Sequence, residues 1–155
     1  MKLKVFRLRV GAKLPTRAYK TDAGMDLYYC PNGEKKLYDE VDEFFIPPRE
    51  SRLLSTGIKV EVPYGYMLEI KNKSGIAYKK QLLVGACVVD PGYNGELYVN
   101  LHNTGHETQV IRSGEKVAQA VLVPIVHCSI EEVFEDNLNK GTIRDSGGFG
   151  STGER

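Results

Sequence analysis

Asp90 stands between an apolar run that ends at Val89 and the turn-forming stretch Pro91-Gly92-Tyr93-Asn94-Gly95. A carboxylate at a strand end, beside glycines that let a ligand approach the backbone, is well placed to hold a water or a hydroxyl. It could equally cap its own turn, as Asp often does. A second candidate is Lys71-Asn72-Lys73-Ser74-Gly75-Ile76-Ala77. There a cation and a hydroxyl precede a turn whose backbone N–H groups can bind phosphate at a helix start; the plain alternative is a solvated charge run. Asp26 follows Gly24 in Asp22–Leu27 and is expected to point away from the apolar Met25 and Leu27. Gln119 lies among Ala118, Ala120 and Val121, so its amide is either satisfied by a core partner or presented to a ligand. The segment 141–155 has a linker's Gly- and Ser-rich composition. Yet Arg144, Phe149, Gly150, Ser151 and Thr152 bring a cation, a stacking ring and two hydroxyls that a spacer does not need.

Other groupings are weaker. Lys73-Ser74 looks like the end of a Walker loop, but Asn72 and Met67 occupy positions where that loop needs glycine. His102 and His106 are four apart, but Gly105 lies between them in strand-and-turn surroundings, whereas a metal pair at that spacing needs a helical face. Cys30, Cys87 and Cys128 are odd in number and widely spaced, which points to reduced thiols in a cytoplasmic setting rather than a disulfide scaffold. Cys128, next to His127, reads as a buried structural cysteine near a strand end rather than a nucleophile.

Short alternating segments position these residues. Lys2–Val10 reads as a strand whose phase slips at Phe6, suggesting a bulge. Gly11–Tyr19 is loop, and Thr21–Leu27, running into Tyr28-Tyr29-Cys30, reads as a turn before a strand. Pro31–Glu43 is charged and turn-rich, an exposed hairpin extension. Phe44–Ile46 returns to the core; Ile58, Val60 and Val62 alternate up to a turn at Pro63–Gly65; and Met67–Ile70 follows. Val84–Val89 and Glu96–Leu101 flank the Asp90 turn as a β-hairpin, with Leu97, Val99 and Leu101 on the inner face. Lys116–Val123 is another strand, and Pro124 suggests that its outer part lies at a sheet edge. Ile130–Phe134 reads as a last short strand. Helical periodicity is scarce, so the class is all-β, a sandwich or barrel.

The 155 residues suit one domain with a real core. Twenty-one Lys and Arg balance twenty Asp and Glu, a net charge of +1, so no global field draws the chain to nucleic acid or membrane. The first ten residues intersperse charges and lack a signal peptide's apolar core, and no apolar run approaches a membrane span.

Five segments, in order, resemble the trimeric deoxyuridine triphosphatase (dUTPase) family: DAGMDL (Asp22–Leu27), KSGIA (Lys73–Ala77), VGACVVDPGYNGE (Val84–Glu96), GEKVAQ (Gly114–Gln119) and RDSGGFGSTG (Arg144–Gly153). The resemblance implies a jelly-roll-like β-barrel over 1–140 and a mobile tail over 141–155 that closes on a neighbouring active site. It implies a homotrimer with shared sites and Mg²⁺-dependent hydrolysis of dUTP to dUMP and pyrophosphate, clearing dUTP and supplying dUMP for thymidylate synthesis. Asp90 would position the water that attacks the α-phosphate, and Tyr93 would lie under the deoxyribose. Backbone around Gly85, Cys87 and Val88 would read the uracil edge. Asp26 would hold Mg²⁺ through water. Lys73, Ser74, Gly75 and Gln119 would contact phosphates. Arg144, Phe149, Gly150, Ser151 and Thr152 would close from a neighbouring subunit.

Three departures stand out. The family usually has Pro-Arg where this chain has Asn72-Lys73, and Lys gives a point charge rather than a bidentate fork. Cys87 replaces a usual Gly, which would strain the backbone only if φ were positive there. The Pro31–Glu43 extension is longer than usual and could serve a regulatory protein partner. One alternative is a dUTPase-like, nucleotide-gated binding protein. Another is dCTP deaminase, which shares the fold; those relatives carry a Glu ten positions after the hairpin Asp, where this chain has Asn100, which cannot shuttle protons.

Overall fold

The computed structural model describes residues 1–33 and 43–138. In chain order its strands are β1 (Lys4–Arg7), β2 (Met25–Tyr28), β3 (Glu43–Ile46), β4 (Ser51–Ser55), β5 (Ile58–Glu61) and β6 (Tyr66–Lys71). After helix α1 (Ser74–Lys80) come β7 (Leu82–Val84), β8 (Val88–Val89), β9 (Tyr98–Asn103), β10 (Gln109–Arg112) and β11 (Lys116–Pro124). The strands form four small antiparallel sheets, β1-β5, β10-β3, β2-β11-β6-β8 and β4-β9-β7. The all-β reading holds. Alternation explains the core: Leu97, Val99 and Leu101 from β9 and its approach are buried together with Ile46, Leu54, Ile111 and Val117. Burying such side chains contributes about 1.5–3 kcal/mol each.

The central hairpin is split. β7 pairs with β9 from Leu82↔Asn103 to Val84↔Leu101. The chain then leaves that sheet, and β8 pairs instead with β6, Leu68↔Val89. Ile70 N–H donates to the Cys87 carbonyl (2.7 Å), which fixes the crossing point. Asp90 still follows directly on a strand, as expected. Its carbonyl accepts from Tyr93 N–H (3.3 Å), with Pro91 and then Gly92 at φ 85° between them. That is the residue pattern of a type II turn, where the third position needs positive φ.

β11 is covered by β2 only as far as Ala120 but by β6 as far as Pro124, so among the described residues its outer half has a strand on one side only, in keeping with Pro124. The strands flanking the Asp90 turn, β8 and β9, are not paired with each other as a hairpin would require, and three further expectations fail. β1 pairs with β5 in unbroken register, so there is no bulge at Phe6; the phase slip instead leaves Phe6 on the exposed face. Ile130–Phe134 is not a strand, because no described strand lies beside it to complete a ladder, and Ile130 and Phe134 are exposed. Cys128, just before that segment and likewise outside any described strand, is exposed rather than buried. Most of the Pro31–Glu43 extension lies outside the described residues. No described helix is long and apolar enough to cross a membrane.

Candidate active site

Asp26 is buried, with 5% of its surface exposed, and each of its oxygens meets a lysine. Lys73 Nζ lies 2.7 Å from Oδ1 and Lys116 Nζ 2.6 Å from Oδ2. Burial pushes the carboxyl pKa up, but the hydrogen bonds and charges of Lys116 and Lys73 together outweigh it, and the net shift is downward. The same contact raises Lys116. A register slip in β11 creates this arrangement. Lys116 pairs with Tyr28, Ala118 with Leu27 and Gln119 with Asp26, leaving Val117 as the extra residue. Residues three apart on a strand normally face opposite sides; with one extra residue between them, Lys116 and Gln119 share the face of Asp26.

Gln119 Nε2 donates to the Asn72 carbonyl (2.9 Å), and its amide crosses Gly24 so closely that a Cβ there would sit 2.0 Å from Oε1. Gly24, Asp26, Lys73 and Gln119 together line a cleft of about 320 Å³. Ser74 and Gly75 open α1 directly after Lys73, and no side chain caps that start. One carboxylate with two ammonium groups leaves the cluster positive, suited to phosphate oxygens. Among the described residues no group of three or more His, Cys, Asp or Glu could by itself hold a metal. A carboxylate has about four acceptor positions, so each Asp26 oxygen can still accept from the waters of an ion carried in on phosphates.

Asp90 and Tyr93 line a second cleft of about 280 Å³ with Ala86, Cys87 and Val88. Glu96 also lines this cleft; it pairs with Arg9 and accepts from Gly57 N–H (2.7 Å). Tyr93 Oη donates to the Glu96 carbonyl (2.9 Å). Cys87 is not among the residues with positive φ, so the replacement of the usual Gly costs no backbone strain. The expected residues thus fall into two groups, one around Asp26 and one around Asp90, whose lining residues do not overlap. Arg144, Phe149, Gly150, Ser151 and Thr152 lie outside the described residues. The sequence reading missed Lys116 as a partner of Asp26, because the slip that turns it toward Asp26 leaves no mark in hydrophobic alternation.

The dUTPase family model matches residues 11–153. A protein of Gloeothece citriformis named deoxyuridine 5'-triphosphate nucleotidohydrolase is 40% identical, with 99% of this chain and 97% of that protein covered. One of the same name from Clostridium kluyveri is 39% identical, with 99% of each covered. Among solved structures, a point mutant of the dUTPase of Staphylococcus bacteriophage 80alpha, with dUpNHpp, superposes with a TM-score of 0.83 at 25% identity over 98% of each chain. A mutant dUTPase from phage phi11 of S. aureus, whose structure describes coordination of a structural Mg(II) ion, gives 0.74 at 26% identity over 87% of this chain and 99% of that one. With its family model spanning nearly the whole sequence and relatives near 40% identity along its full length, this chain belongs to the dUTPase family.

Proposed function

We propose that the chain hydrolyses dUTP to dUMP and pyrophosphate, with Mg²⁺ carried on the substrate's phosphates, in sites assembled between the subunits of a homotrimer. The observation that carries this reading is the separation of the two clefts. One chain offers a phosphate-facing cluster at Asp26, Lys73 and Gln119, and a distinct carboxylate–tyrosine cleft at Asp90 and Tyr93. Each is half a nucleotide site. Apposing copies of the chain would complete it, and closed symmetry would repeat it.

In this reading Lys73 leaves Asp26 for a phosphate oxygen, while Lys116 stays on Oδ2 and keeps the carboxylate ionised. When bound, the ion would neutralise phosphate charge, its waters donating to Asp26. Ser74 and Gly75 at the start of α1 and the Gln119 amide face the remaining phosphate oxygens. Asp90 accepts a hydrogen bond from the water aimed at the α-phosphorus and takes up its proton as the bond to the bridging oxygen breaks. Tyr93 supports the sugar and excludes a 2′-hydroxyl, and backbone from Gly85 to Val88 reads the base. Residues 141–155, with Arg144, Phe149, Ser151 and Thr152, close the site from a neighbour.

Pyrophosphate release from each deoxynucleoside triphosphate, with and without Mg²⁺, tests the reading. dUTP is expected to be turned over far faster than dCTP or dTTP, and only with the ion. Asp90→Asn is expected to lower kcat by about 10²–10⁴-fold, the usual worth of a general base, while still binding dUTP. Equal turnover of the other nucleotides, or an active Asp90→Asn enzyme, would overturn it.

A further inference from the structure

Three consecutive backbone N–H groups, running from the last residue of β7 into the segment before β8, are held by two asparagines. Val84 N–H donates to Asn72 Oδ1 (2.7 Å), Gly85 N–H to the Asn100 carbonyl (3.0 Å) and Ala86 N–H to Asn100 Oδ1 (3.3 Å). Asn100 is moreover fully used. Its Oδ1 also meets His102 Nε2 (3.0 Å), and its Nδ2 donates to Ser51 Oγ (2.7 Å) and the Arg52 carbonyl (3.3 Å). An amide has two acceptor and two donor positions, and all four have partners. Rotating it by half a turn would set Nδ2 against the Ala86 N–H, so its orientation is fixed. Gly85 completes the fit: a Cβ there would lie 2.2 Å from both Asn100 Oδ1 and His102 Nε2. Only a residue without a side chain lets the segment lie this close to β9.

We propose that Asn100 is a positioning residue for base selection, fixing the height and register of the Gly85–Val88 backbone so that its donors and acceptors match a uracil edge. This rests on the reading that the segment contacts the base. Asn72, which holds Val84, also accepts from Gln119 through its carbonyl and precedes Lys73. The same hydrogen-bonded path therefore joins the base-reading segment to the phosphate-facing turn.

The test is the ratio of kcat/KM for dUTP to that for dCTP. Asn100→Leu keeps the branched four-atom shape, though with bulkier ends, and removes the acceptor; it is expected to lower the ratio roughly three- to tenfold, the worth of one net hydrogen bond. Asn100→Thr, whose β-branched side chain suits the strand but is too short to reach Ala86, is expected to do the same and decides the matter if the Leu variant does not fold. Asn100→Asp keeps an oxygen toward Ala86 and His102 and is expected to retain more of the ratio than either. A loss shared equally by both substrates marks a merely structural role and overturns the proposal, as does an Asp variant no better than Leu. Gly85→Ala separates the two failures. If it shifts the ratio while Asn100→Leu and Asn100→Thr do not, the segment reads the base without Asn100. If none shifts it, the base is read elsewhere and both ideas fall.

Discussion

Lys116 Nζ reaches Asp26 Oδ2 at 2.6 Å because β11 slips by one residue against β2 just before it meets Asp26. The bulge therefore has a chemical consequence: it turns a lysine that would otherwise face away into the second cation on a buried carboxylate. Lys73 comes to the same carboxylate from the start of α1, from a different part of the chain. Because Oδ2 is held independently, Lys73 can exchange Asp26 for a phosphate without leaving the carboxylate unpaired.

The pH dependence of stability follows from this pair. Asp26 has its folded pKa lowered from 3.8, so its contribution is present above that value and lost as pH falls through the depressed folded one. Lys116 is raised from 10.5, so its contribution is present below that value and lost as pH climbs through the raised folded one. Thermal unfolding from acid to alkaline pH is expected to show a plateau between these limits. Lys116→Met weakens the downward pull on Asp26, so its acid limb should begin at higher pH than in the parent protein and its alkaline limb should flatten. Superimposable profiles would mean that the contact does not persist in solution.

Much of the fold was legible because alternation reports burial directly: Leu97, Val99 and Leu101 fall inside as read, and Asp90 follows a strand as read. Partner choice was not legible. Val84–Val89 looks like one strand, but Val84 pairs with Leu101 and Val89 with Leu68. Nothing in the local pattern marks the change of sheet, since pairing is decided by which edge is free once the barrel closes. The same limit explains Ile130–Phe134, whose apolar residues have strand character but no described neighbour. Of the proposed site residues, Asp26, Asp90 and Gln119 stand out in the sequence by motif context. Lys116 and the clamping role of Asn100 depend on register and on side-chain reach across strands, which a one-dimensional pattern does not hold.

Tyr93 governs the next expectation. It lines the cleft of Asp90, with its hydroxyl tied to the Glu96 carbonyl at 2.9 Å, so its ring is a fixed wall. Tyr93→Ala is expected to narrow the preference for dUTP over UTP, by up to roughly a hundredfold for rejection of one added hydroxyl. Tyr93→Phe keeps the wall and loses only the tie, so it should keep most of the preference. Comparing kcat/KM for the two nucleotides in each variant checks this, and an unchanged ratio in the Ala variant places sugar selection elsewhere.

Truncation addresses residues 141–155. Deleting from Ser146 onward removes Phe149, Ser151 and Thr152. A base–aromatic stack alone is worth about 1–3 kcal/mol, so kcat/KM for dUTP is expected to fall roughly five- to a hundredfold or more. The melting temperature without nucleotide should hardly move. A truncated enzyme of full activity would reduce the segment to a linker.

Subunit mixing gives the sharpest test of the shared site. Asp26→Asn disables the phosphate-facing cleft and Asp90→Asn the other, and the two clefts share no lining residue. Each variant alone is expected to be nearly inactive. If one site draws the two clefts from different subunits, co-expressing the variants in equal amounts produces some sites with both carboxylates intact. Random assembly of a closed trimer makes that roughly a quarter of all sites, because each half is intact with even odds and the halves come from different chains. Activity of the mixed population should therefore recover to about that fraction of the parent enzyme's, and sedimentation equilibrium should give trimers throughout. If both clefts of one subunit served the same site, every site would carry one disabled carboxylate and no mixture would recover. A monomer with full activity would exclude the shared arrangement by itself. Recovery without Mg²⁺ would show that the phosphates reach the Asp26 cluster unaided, since its two lysines would then be neutralising the triphosphate alone.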